Sequence, residues 1–274
     1  MSNLHRHDVW AVGSAYESYV GRWSRRVAVE FLDWLSLPAS ACWLDVGCGT
    51  GALSEAILSW ASPKAVQGID PSEEFIAHAR EHIRDDRVQF QRGDVIHLPL
   101  ETGVYDVVVS GLVLNFIPDL LTAMIEMARA TRPGGTVGAY VWDYAGKMEL
   151  MRYFWDAATG LNPAAAELDE GRRFPICQPE PLRKLFEEAG LQDVEVRSID
   201  VSTPFRDFDD YWSPFLGGQG PAPGYVMSLR EEDRHMLRER LRAILPFSED
   251  GSIQLMARAR AVRGRRAQSA EPTP

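Results

Sequence analysis

From residue 41 onward, short apolar runs alternate with stretches in which apolar residues recur every three or four positions. The runs are "ACWLDVG", "AVQGID", "VQFQRGDV", "YDVVVSGLVL" and "TVGAYVWDY"; between them lie "GALSEAILSWA", "SEEFIAHAREHI" and "LLTAMIEMARAT". Mostly apolar runs predict strands covered on both faces, and the helical period between them predicts a parallel sheet flanked by helices. Ahead of this alternation, Val27, Phe31, Trp34 and Leu35 recur at helical spacing until Pro38, which predicts one or two leading helices. Thr50 is expected to help start the helix after the first strand. Ser72, followed by Glu73 and Glu74, is expected to start the next one, with the acids at the positive end of the helix dipole.

After Tyr144 the alternation weakens into helices and loops. "LRKLFEEAGL" predicts a helix closed by Gly190, "DVEVRSIDVST" a further strand and "GSIQLMARARAVRG" the last one. Between these two strands, about 204–249, lies an insertion containing "FRDFDDYWSPF", "GGQGPAPGY" and the charged helix "REEDRHMLRERLRAIL". An insertion of that length predicts a lid or binding element.

Composition changes this picture mainly by exclusion. The 274 residues carry 29 Lys and Arg against 39 Asp and Glu, a formal charge of -10, so nucleic acid is not an expected partner. The N-terminus lacks the basic and apolar pattern of a secretory signal, and no apolar run is long enough to span a bilayer, so a cytoplasmic location and no membrane partner are expected. Cys42, Cys48 and Cys177 are too few and too scattered for a disulfide framework or a metal site, and no metal is expected. The sequence names no oligomeric state.

Gly47, Gly49 and Gly51 follow the first strand and open a helix, where missing β-carbons allow a tight turn and close approach of a ligand to the backbone. Ala52 completes a GxGxxA spacing and Asp70 ends the next strand, so this segment alone also fits a nicotinamide dinucleotide site. The wider order of motifs adds Asp45 two residues before Gly47, "GDV" after the third strand, "YDVVVSGLVLNFIPD" as the fourth, and "ARATRPGGTVGAYVW" leading into the fifth. Across residues 41–144 this order resembles the class I S-adenosylmethionine-dependent methyltransferases.

The resemblance implies an α/β, Rossmann-like fold with a seven-stranded, mostly parallel sheet whose last strand is antiparallel. It implies a single methyltransferase domain over 1–264: a helical cap (1–40), a cofactor-binding core (41–146) and a C-terminal part (147–264) holding the insertion, followed by a disordered tail (265–274). It further implies that Gly47, Cys48, Gly49 and Gly51 lie beneath the methionine part of S-adenosylmethionine, with Asp45 toward its ammonium. Asp70, followed by Pro71, matches the acid that binds both ribose hydroxyls, a task suited to two accepting oxygens. Gly93, Asp94 and Val95 match the adenine turn, and Ser110 and Leu112 lie toward the methionine and the acceptor. In the cap, "AYESYVGRWSRRVA" resembles a segment of one branch of these enzymes. There Tyr16 and Arg22 are expected at the cofactor, the arginine forking to its carboxylate, and Tyr19 at the substrate.

The implied reaction is methyl transfer to a small organic acceptor, releasing S-adenosylhomocysteine, with oxygen, nitrogen and carbon acceptors all open. An inactive methyltransferase-like binding or regulatory protein and a nicotinamide-dependent oxidoreductase are the alternatives. Many relatives carry a histidine after the fourth strand; here Asn115 and Phe116 stand in that turn. The general base stays open, with Asp143 and Asn115 the candidates. Trp142, Tyr144, Tyr211 and Trp212, together with Phe154, Trp155 and Phe215, are expected to wall a flat or apolar acceptor.

Overall fold

The structure is a computed structural model that describes residues 22–217 and 220–268. Tyr16, Tyr19 and the side chain of Arg22 lie outside the described residues. The chain opens with α1 (Arg22–Leu35), β1 (Cys42–Val46), α2 (Ala52–Trp60), β2 (Ala65–Asp70), α3 (Glu73–His82) and β3 (Val88–Arg92). It continues through β4 (Tyr105–Gly111), α4 (Leu120–Ala130) and β5 (Thr131–Trp142). Then come α5 (Glu149–Leu161), α6 (Glu170–Arg173), α7 (Pro179–Glu188) and β6 (Leu191–Phe205). The insertion forms α8 (Phe208–Trp212), α9 (Pro221–Ser228) and α10 (Glu231–Ile244), and β7 (Ile253–Arg266) follows.

The seven strands form one sheet in the order β3-β2-β1-β4-β5-β7-β6, with six strands parallel and the last antiparallel. β1 is central, pairing with β2 on one side and β4 on the other, and four of its five residues are buried. That burial on both faces is why "CWLDV" reads as an almost unbroken apolar run. Chain order reverses between β1 and β4, and open α/β sheets take ligands beyond the carboxyl ends of strands at such a reversal.

Two compact units divide the described chain. A sheet unit takes 24–141, 178–199 and 259–268; a helical unit takes 22–23, 142–177, 200–217 and 220–258. The divisions fall inside α1, β5, β6 and β7. In the sheet unit, α3 packs Ile76 and Ala79 against Phe90 and Cys48, with Ile83 and Val88 at the margin. α4 buries Ala123, Met124, Met127 and Ala130, and its first turn is capped by Asp119, which accepts from the Thr122 N–H at 3.1 Å. The cap expected at Ser72 is present, accepting from the Phe75 N–H at 3.3 Å.

The helical unit is held by aromatic packing. α5 buries Phe154 and Trp155; Phe154 stacks on Phe215 with centroids 4.6 Å apart, and Trp155 meets Tyr225 at 5.9 Å. The Tyr211 hydroxyl donates to the Leu150 carbonyl at 2.9 Å, and the Met256 N–H donates to Glu149 Oε2 at 2.7 Å. Asp200 accepts from Arg258 Nε at 2.6 Å and Lys147 Nζ at 2.9 Å, and these cations hold its carboxyl down at about 2.

Two local expectations are corrected. Thr50 does not cap α2: Gly51 does, with φ 93°, because the sharp turn demands a left-handed residue immediately before the helix. The expected tail is not tail from its first residue, since β7 runs through Arg266, whose Nη1 donates to the Arg129 and Thr131 carbonyls.

Candidate functional site

The first turn is built by hydrogen bonds from the ends of two strands. After β1, the N–H groups of Gly47 and Cys48 both donate to the Ile69 carbonyl, at 2.7 and 3.0 Å, and the Gly51 N–H closes the turn onto the Cys48 carbonyl at 2.8 Å. Gly47, Gly49 and Gly51 all have positive φ, at 72°, 53° and 93°, a region that costs other residues energy. Gly47 has a second reason: a β-carbon there would lie 2.6 Å from Val113 Cγ1. The turn after β4 therefore rests directly on the turn after β1, at the reversal of chain order.

Asp70 joins this arrangement from β2. Its Oδ1 accepts from the Ser72 N–H at 2.8 Å and its Oδ2 from the Gly49 N–H at 2.9 Å. Burial raises its pKa, and the two N–H donors pull it back. Each oxygen keeps a lone pair, so the carboxylate has acceptor capacity left for two hydroxyls. The Gly93 N–H donates to the Asp70 carbonyl at 3.1 Å, which brings the turn after β3 beside it. Asp94 is exposed at that turn; its Oδ1 accepts from the Ile96 N–H at 3.1 Å, and His97 closes the turn by donating its N–H to the Asp94 carbonyl at 3.1 Å. Val95 is half-buried beside it, and Pro71 is exposed.

Asp45 is fully buried. Its Oδ2 accepts the Ser54 hydroxyl at 2.7 Å, while its Oδ1 has no hydrogen-bond partner among the described residues. Burial pushes its carboxyl up to about 7; the Ser54 bond opposes the rise and the charge of Asp70 adds to it. Cys48, also buried, has its thiol raised by burial first and then by Asp45 and Asp70. On β4, the Ser110 hydroxyl is buried without a hydrogen bond among the described residues, as is Asn115 Nδ2 in the 3-10 turn Leu114–Phe116. Between them Leu112 takes the left-handed conformation, φ 62°, with its N–H donating to the Tyr140 carbonyl at 2.7 Å. A buried leucine held at positive φ marks strain at the end of β4.

Thus Asp45, Gly47, Cys48, Gly49, Gly51, Asp70, Gly93, Ser110 and Leu112 come from the ends of β1, β2 and β4 and the turns after β1, β3 and β4, all within the sheet unit. Asp143, Trp142, Tyr144, Tyr211 and Trp212 belong to the helical unit. Asp143 is fully buried, and its Oδ1 accepts from the Gly146 N–H at 3.1 Å while its carbonyl accepts from Gly146 and Met148. That bond makes Asp143 a brace of the turn after β5. Trp142 Nε1 is buried without a hydrogen bond among the described residues, and the Tyr144 ring meets Phe174 at 5.8 Å. Tyr211 is fully enclosed, 5.4 Å from the Phe205 ring and 5.5 Å from Phe215, and Trp212 stacks on Phe208 at 6.4 Å.

Sequence reasoning missed Ser54 and Val113. The only signal for Ser54 was a small polar residue on the apolar face of "ALSEAIL"; Val113 carries none, because its contact with Gly47 is set by sheet order. It also missed Glu170, a buried carboxylate that accepts from Trp155 Nε1.

A family model described as a methyltransferase domain matches residues 44–138, the segment that contains both turns. The demethylmenaquinone methyltransferase of Staphylococcus aureus strain JH9 is 31% identical over 168 residues, 57% of this chain and 70% of that protein. The chain belongs to the class I S-adenosylmethionine-dependent methyltransferases. Solved structures agree on the fold. Phosphoethanolamine N-methyltransferase 2 of Haemonchus contortus, solved with S-adenosyl-L-methionine, aligns with TM-score 0.58 and 18% identity over 93% of this chain and 56% of that one. The YcgJ protein of Bacillus subtilis aligns with TM-score 0.57 and 15% identity over 90% of this chain and 100% of that one.

Membership decides between the two cofactors that the glycine turn alone left open: this methyltransferase uses S-adenosylmethionine. The residues present suit that group. Two carboxylates, Asp45 and Asp70, stand at the switch point, one of them with an oxygen that has no hydrogen bond among the described residues, and glycines line the turn beside them. Among the described residues no helix is long and apolar enough to cross a membrane.

Proposed function

We propose that this methyltransferase acts on a small organic acceptor and releases S-adenosylhomocysteine, with the cofactor held by the turns after β1, β2, β3 and β4. The observation that carries the site assignment is the joined pair of turns at the β1/β4 switch point, where Gly47 packs on Val113 and Gly49 binds Asp70. In this reading Asp70 receives the ribose hydroxyls, Asp94 the adenine amino group with Val95 beside the ring, and Asp45 and Ser110 the amino-acid end. Arg22, Tyr16 and Tyr19 keep the roles that the resemblance gives them.

When bound, S-adenosylmethionine supplies an electrophilic methyl group on a sulfonium. The chain's contribution is alignment of the acceptor and exclusion of water, which together lower such a barrier without a reacting side chain. Asn115 fits an orienting role, because an amide Nδ2 can donate hydrogen bonds to an acceptor but takes no proton from it. We assign no general base, so an acceptor that loses its proton before attack, or carries none, suits this chain best. The aromatic residues expected at the acceptor, Trp142, Tyr144, Tyr211 and Trp212, suit a flat or apolar one. The name of the S. aureus relative, which specifies a quinone, points the same way.

The test is incubation with methyl-labelled S-adenosylmethionine and a panel of quinols, phenols, amines and carboxylic acids, followed by solvent extraction. Label in an extracted small molecule supports the reading. Label found only in added protein or nucleic acid overturns it.

A further inference from the structure

Ser54 is buried completely on the third residue of α2, and its only polar atom is committed to Asp45 Oδ2, 2.7 Å away. The carboxylate it holds is in an unbalanced position. From β2 a second carboxylate, Asp70, acts on it; from the turn itself comes the Cys48 thiol; on β4 its register partner is the apolar Val109. Among the described residues Asp45 forms no ion pair, and one of its two oxygens has no hydrogen bond. A buried carboxylate beside another acid must be balanced by a proton or by a cation. The cofactor carries such a cation, its ammonium group, and it carries it to this turn if the site assignment above holds.

We propose that Ser54 is a positioning residue for cofactor binding: its hydroxyl holds Asp45 Oδ2, leaves Oδ1 for the ammonium, and so couples binding to release of one proton from Asp45. The proton count balances simply. The ligand-free turn carries Asp45 in exchange between acid and carboxylate; the complex carries carboxylate and ammonium, and the displaced proton goes to solvent. The inference rests on the cofactor reading and goes beyond it, because placing the ammonium near Asp45 does not by itself require a proton to leave. Burial, which raises this carboxyl to about 7, puts the exchange in an accessible range, and Ser54 is the group that opposes the rise.

The experiment is calorimetric titration with S-adenosylhomocysteine at pH 6, 7 and 8, each in two buffers of different ionisation enthalpy, whose difference counts protons. The expected release is near one at pH 6, about half at pH 7 and about a tenth at pH 8, with affinity about tenfold weaker at pH 6 than at pH 8. Ser54→Ala is expected to move the whole profile to higher pH and to lose more affinity at pH 6 than at pH 8, and Ser54→Thr to restore it. Asp45→Asn is expected to bind without releasing a proton. Binding by the wild type with no proton exchange, or a Ser54→Ala profile superposable on wild type, overturns the proposal while leaving the cofactor site intact. No binding at any pH by folded protein sinks the cofactor assignment itself.

Discussion

The backbone N–H of Gly49 donates to Asp70 Oδ2 at 2.9 Å, so the turn after β1 and the end of β2 are one hydrogen-bonded unit. The bond holds the acid beside the open glycine backbone, with lone pairs to spare for a ligand. A chain that placed the acid correctly but left the turn loose would present the same residues without fixing the angle between them.

Gly47→Ala tests how closely the two turns meet. The new β-carbon would lie 2.6 Å from Val113 Cγ1, on a backbone at φ 72° that alanine disfavours. The expected cost is about 1 to 3 kcal/mol of stability, read from denaturant unfolding. Adding Val113→Ala should recover part of it by removing the clash, but not the backbone strain. Full recovery would mean that strain contributes nothing.

Glu170 makes a prediction about pH. Burial pushes its carboxyl up to about 7 from 4.5, with the Trp155 indole N–H opposing the rise. The folded chain therefore keeps a proton that the unfolded chain loses between pH 4.5 and 7, and this contribution to stability declines as pH rises through that window. Glu170→Gln keeps an oxygen for Trp155 and removes the charge. It should raise stability at pH 8 by about 1 to 3 kcal/mol and leave it nearly unchanged at pH 4.5. Destabilisation at pH 8 would show that the charged form is the one the site prefers.

Tyr211→Phe separates support from ligand contact in the helical unit. Its hydroxyl is used by the Leu150 carbonyl, so the change should lower stability by about 0.5 to 1.5 kcal/mol and leave S-adenosylhomocysteine affinity unchanged. A loss of affinity in a fully folded variant would assign the hydroxyl to the cofactor instead.

What the sequence made legible follows from which forces are local. The strand runs, the cap at Ser72 and the glycines of the first turn depend on neighbours a few residues away, and each stands where the pattern put it. Gly51 rather than Thr50 starts α2 because backbone handedness outranks side-chain capping when the turn is this sharp. The bond from Ser54 to Asp45 spans nine positions, and the contact from Gly47 to Val113 depends on β4 crossing to lie beside β1. Neither leaves a periodic trace. The bracing role of Asp143 is hidden for a related reason: the Gly146 N–H it accepts from becomes visible only once the turn is folded. The same holds for Glu170, where an ordinary acidic residue in "ELDEGRR" becomes a buried partner for Trp155 only after α5 and α6 pack together.

The most direct test of the central claim, that the joined turns around Gly49 and Asp70 hold the cofactor, is titration of wild type and Asp70→Ala with S-adenosylhomocysteine at pH 7.5. Loss of a charged acceptor for the ribose should cost about 1.5 to 3 kcal/mol, a drop in affinity of about 10- to 150-fold against saturable wild-type binding. Equal affinity in a folded Asp70→Ala variant, or no binding by folded wild type, would contradict it.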